Sequence, residues 1–62
     1  MKIAVYFGKR FEQYTTPEEI LEGFQDKTKA KIIIADLKRC GTSVRPIKGS
    51  IEAVYYKLVP ES

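Results

Sequence analysis

The chain has 62 residues, of which 44% are hydrophobic and 31% charged, and it carries a formal net charge of +3. That length allows one domain, residues 1–62, burying only about 60% of the surface exposed by the unfolded chain and stable by roughly 3–5 kcal/mol. There is no His, no Trp and a single Cys, Cys40, which excludes a Ser-His or Cys-His nucleophile pair, a zinc site built from the usual ligands and an internal disulfide. An enzyme is therefore not expected, nor a cofactor. One lone thiol suits a reducing, cytoplasmic compartment. The first apolar run, Ile3–Phe7, is too short for a membrane span or a leader's apolar segment, so no membrane partner is expected.

Ile3-Ala4-Val5-Tyr6-Phe7 is dense in β-branched and aromatic residues and stops at Gly8, which predicts a strand. Phe11-Glu12-Gln13-Tyr14 predicts a short return strand through the Gly8-Lys9-Arg10 turn. A helix through Ile3, Phe7, Phe11 and Tyr14 competes with this hairpin, but Gly8 inside it would cost about 1 kcal/mol.

Thr16-Pro17-Glu18-Glu19 predicts a helix start. A Thr N-cap followed three residues later by Glu forms a capping box, Pro is suited to the first helical position, and two acids complement the helix dipole. Ile20, Leu21 and Phe24 supply its apolar face, and Gly23 with Gln25-Asp26 keeps it short. Lys27–Gly41 supports two readings. As a helix, Ala30, Ile33, Ile34 and Leu37 form one stripe, Thr28 or Asp26 caps the start, Lys38 and Arg39 suit the C-terminal end, and Gly41 occupies the C′ position. As a strand, Ile32-Ile33-Ile34 is a β-branched core spanning residues 31–37. The end signals favour a helix over Lys27–Cys40.

Ser43–Lys48 and Ile51–Val59 are predicted strands, with Gly49-Ser50 as a two-residue II′ hairpin turn. Pro46 restricts the first of them to a sheet edge, and the second is long enough to be central. The fold class expected is thus a small α+β domain: an N-terminal strand or hairpin, one or two helices, and a C-terminal β-hairpin.

Charge is distributed unevenly along this order. Seven of the eleven basic residues lie between Lys27 and Lys48 with one acid, Asp36, so that window carries +6 against −2 for residues 1–26 and −1 for residues 49–62. A lopsided basic surface points towards an anionic partner such as nucleic acid. With Ala30, Ile33, Ile34 and Leu37 facing inward, the step of about 100° per residue turns Thr28, Lys31, Ile32, Ala35 and Arg39 outward.

The capped start at Thr16-Pro17-Glu18-Glu19-Ile20, the stripe Thr28-x-Ala30-x-x-Ile33-Ile34-x-x-Leu37-x-x-x-Gly41 and the hairpin Val44–Leu58 together resemble the winged helix-turn-helix DNA-binding domain. That resemblance implies a non-enzymatic regulator or excisionase-like factor, acting as a homodimer or beside a partner. The second helix would lie in the major groove of duplex DNA, with the wing over the adjacent backbone. Arg39 would pair with guanine, and Ile32 or Ala35 would touch a thymine methyl. Lys27, Lys29, Arg45 and Lys48 would hold phosphates.

A second function class is open: a protein-binding module, an inhibitor or adaptor of a larger enzyme. Residues 31–37 would then be a strand beside the hairpin in a β(β)αββ order, and an exposed edge at Ser43–Ile47, weakened by Pro46, would pair with the partner. Tyr6, Tyr14, Tyr55 and Tyr56 suit stacking on single-stranded bases, although tyrosines in strands more often belong to a half-buried core.

Overall fold

A computed structural model of the protein describes residues 1–60, which form one four-stranded antiparallel sheet and two helices. The elements are β1 (Lys2–Phe7), β2 (Arg10–Thr15), α1 (Pro17–Gly23), α2 (Lys27–Cys40), β3 (Thr42–Pro46) and β4 (Ala53–Val59). The sheet order is β2-β1-β4-β3, so two hairpins are joined edge to edge by their inner strands β1 and β4. β3 is an edge strand, as Pro46 requires, and β4 is central.

Caps start both helices and end the second. The Thr16 hydroxyl accepts the Glu19 N–H at 3.3 Å and donates to the Glu19 carboxylate at 3.3 Å. α2 is helical over Lys27–Cys40, so residues 31–37 are not a strand and the β(β)αββ order is not formed. Burial of Ala30, Ile33, Ile34 and Leu37 on one helical stripe outweighs the β-branched run. Asp26 rather than Thr28 is its N-cap: the Asp26 carboxylate accepts from the N–H groups of Thr28 and Lys29. Gly41 ends it at φ 83°, and its N–H bonds the Leu37 carbonyl. That left-handed backbone costs an L side chain about 1–2 kcal/mol, which is why the chain can turn into β3 there.

The connection between β3 and β4 differs from the expected Gly49-Ser50 hairpin turn. The ladder stops at the Pro46–Ala53 pair, and six residues cross between the strands. Pro46 has no N–H to extend the ladder. The Ser50 N–H bonds the Ile47 carbonyl at 3.1 Å, closing a four-residue turn with Gly49 at its third position and φ 81°. A type II turn demands positive φ at that position.

Ile3, Ile20, Ala30, Ile33, Ile34, Leu37 and Tyr56 form the core, with Val5, Leu21, Phe24, Val54 and Leu58 packed around it. Strand alternation places Ile3, Val5, Tyr56 and Leu58 on the face beneath the helices, and the apolar stripe of α2 meets them. The opposite face of the sheet carries no helix.

Candidate nucleic-acid interface

The outward positions of α2 follow the helical step: Thr28, Lys31, Ile32, Ala35 and Arg39 are all exposed. They do not form one uniform surface. Lys29, Ile32 and Asp36 lie on the flank towards β3, where a groove runs between the helix and the strand. Lys29 and Ile32 from α2 meet Arg45 and Lys48 from β3 and the following turn along this groove. Four of the nine candidate binding residues are thus brought together from segments separated by more than a dozen positions.

The floor of the groove is apolar. Ile33 and Phe24 belong to the core and its margin, while Ile32 is 55% exposed. Arg45 lies over the Phe24 ring at 5.0 Å from its centroid, a cation–π contact that holds its guanidinium at the end of the groove nearest α1. Asp26 also lines the groove; one of its oxygens accepts the α2 N-cap bonds, and it keeps its negative charge. Lys29, Arg45 and Lys48 line the same groove as Asp26, so three cations meet one acid there.

The remaining candidates are dispersed. Lys27 donates through Nζ to the Leu21 carbonyl at the end of α1, so this side chain satisfies a helix terminus. Arg39 bonds Asp36 at 2.8 Å, and the other Asp36 oxygen accepts from the Ser43 hydroxyl at 3.4 Å. This network pins α2 to β3, and Asp36 partly offsets the charge of the residue expected to read guanine. Lys31, Thr28 and Ala35 stand on the outer surface of α2, away from the groove. Arg10 pairs with the Glu12 carboxylate, and Arg39 with that of Asp36.

The tyrosines divide by strand parity. Tyr56 is buried in the core, Tyr6 is half-buried, and Tyr14 and Tyr55 are 52% and 42% exposed. Tyr6, Tyr14 and Tyr55 share the helix-free face with Phe11, which is 45% exposed. Phe11 was not recognised as part of this group from sequence. It lies three residues from Tyr14, and simple alternation puts the two on opposite faces.

No protein-family model, curated protein or solved structure matches the chain. Among the described residues no helix is long and apolar enough to cross a membrane.

Proposed function

We propose that the protein is a non-enzymatic, duplex DNA-binding protein that uses α2 and the β3 hairpin as one basic surface, in the manner of a recognition helix and wing. The observation that carries this reading is the convergence of Lys29, Ile32, Arg45 and Lys48 on the α2–β3 groove. α2 has a free outer face, and a helix of ordinary diameter fits the major groove of B-DNA, about 12 Å wide. With the helix seated there, Lys29, Arg45 and Lys48 reach the flanking phosphates, and Ile32 and Ala35 face thymine methyl groups. Arg39 reads a base only by exchanging Asp36 for it, so its contribution to sequence preference is smaller than that of a free arginine.

The test is a fluorescence anisotropy titration of a short labelled duplex at several salt concentrations. Neutralising four to six phosphates gives a log–log slope of about −4 to −5. Lys29→Ala, Arg45→Ala and Lys48→Ala should each flatten it by about one unit for every sequence alike. Absence of binding at low salt, or a slope indifferent to these changes, refutes the reading.

A second reading rests on a separate observation. Among the described residues β3 has no neighbour on its outer side, and the groove beside it is floored by Ile32 and Ile33. An extended acidic peptide could add to this edge as a fifth strand, although Pro46 withholds one donor. Binding of protein partners without any affinity for duplex would favour this module.

A further inference from the structure

The helix-free face of the sheet has an organisation that the duplex-binding surface does not use. Strand register aligns side chains in rows across the sheet. Phe11 pairs with Tyr6, Tyr6 with Tyr55, and Tyr55 with Val44, so one row crosses all four strands. The next row is Tyr14, Ala4, Lys57 and Thr42. At about 4.8 Å per strand, the first row spans about 14 Å.

A β-bulge makes this face aromatic. Val5 pairs with Gln13 but Tyr6 pairs with Phe11, leaving Glu12 unmatched. The extra residue turns Phe11 to the same side as Tyr14. The three rings are then contiguous: Tyr6 to Phe11 is 5.7 Å between centroids at 73°, and Phe11 to Tyr14 is 4.9 Å at 58°. Lys2 sits over Tyr14 at 4.0 Å from the ring centroid. None of the paired positions on this side is acidic; Glu12 at the bulge is held by Arg10 at 3.0 Å, and Glu52 borders Tyr6 and Tyr55 at the end of the face away from Lys2.

We infer that this face is a stacking platform for unpaired nucleobases, with Phe11, Tyr14 and Tyr55 supplying ring faces and Lys2 and Lys57 holding the backbone phosphates of a single-stranded nucleic acid. Exposed aromatic and apolar side chains clustered on one face mark a binding surface. Aromatic rings on an antiparallel sheet with interspersed cations have the two components that sequence-tolerant single-strand binding needs. A second copy of the chain fits less well, since a face-to-face contact sets Lys2 and Lys57 of both copies, four cations, against Glu52 of each as the acid bordering the rows. The inference is independent of the α2–β3 surface, which lies on the other side of the sheet.

The probe is a labelled oligo-thymidine, and the chain's own tyrosine emission is a second readout because there is no Trp. We expect binding that quenches tyrosine emission and weakens about tenfold in Tyr14→Ala and in Tyr55→Ala. Tyr14→Phe should retain it, because the ring face is kept. Lys48→Ala should leave oligo-thymidine binding unchanged while weakening duplex binding, and Tyr14→Ala should do the reverse. Circular dichroism of each variant verifies the fold. Should Tyr14→Ala unfold, Lys57→Ala, exposed and outside the core, serves in its place with an expected severalfold loss. The inference is overturned if oligo-thymidine does not bind at low salt, or if its affinity is indifferent to the aromatic changes. It is also overturned if sedimentation shows a dimer that Tyr14→Ala dissolves, which assigns the face to a second copy.

Discussion

The two faces of the sheet are built from similar side chains with opposite fates. Beneath the helices, Ile3 and Leu37 are fully buried and Tyr56 is 5% exposed. On the other side, Phe11, Tyr14 and Tyr55 remain about half exposed, with the Phe11 and Tyr14 rings in contact. A chain of 62 residues has two helices' worth of apolar stripe, enough to cover one side only. The covered side supplies stability, and the uncovered side spends apolar area on contacts with water. Such an arrangement is retained at little cost to folding because cross-strand aromatic pairs each contribute about 0.2–1 kcal/mol to the sheet even when exposed.

This contrast gives an ordering of mutational effects. Leu37→Ala strikes the covered face at a site with no exposure. A loss of about 2–5 kcal/mol consumes all or most of the roughly 3–5 kcal/mol available to so small a domain, so the variant should be largely unfolded by circular dichroism at room temperature. A cooperative melt close to that of the wild type would break the comparison at its strongest point. Thr16→Ala loosens α1, part of the cover, by removing the N-cap acceptor. It should lower the unfolding free energy by about 1 kcal/mol in a urea titration.

Tyr14→Ser, on the open face, should change stability by only about 0.5 kcal/mol, and a cost like that of Leu37→Ala would show that the open face belongs to the core. The smallest effect concerns pH. Bonding from the Glu18 backbone N–H holds the Glu18 carboxyl below its ordinary value of 4.5. A depressed carboxyl stabilises the fold above 4.5, and that contribution fades as pH falls through the folded-state value. The thermal midpoint of Glu18→Gln should therefore depend slightly less on pH below 4.5 than that of the wild type, by differential scanning calorimetry.

Local signals in the sequence anticipate the elements well, because caps and breakers act over three or four residues. Thr16-Pro17-Glu18-Glu19 starts α1, Gly41 ends α2, and the stripe Ala30, Ile33, Ile34, Leu37 faces the core despite the β-branched run at Ile32–Ile34. In that run only Ile32 points outward, so tertiary burial of Ile33 and Ile34 outweighs their strand propensity. Long-range features were hidden. The pairing of β1 with β4 joins the two ends of the chain and has no local signature. The bulge at Glu12 breaks the two-residue period, which is why Phe11 and Tyr14 could not be read as neighbours. The +6 window was visible as composition, but its division was not: Lys29, Arg45 and Lys48 share a groove, whereas Lys27 and Arg39 are engaged by Leu21 and Asp36.

On the proposed reading duplex DNA occupies the α2–β3 groove, and the aromatic face of the sheet is left to single strands. Amide chemical-shift mapping during titration with a short duplex examines that division residue by residue. The account predicts shifts concentrated at Lys29, Ile32, Arg45 and Lys48, with Phe11, Tyr14 and Tyr55 unmoved. Shifts concentrated on the aromatic face, or none at low salt, would contradict it.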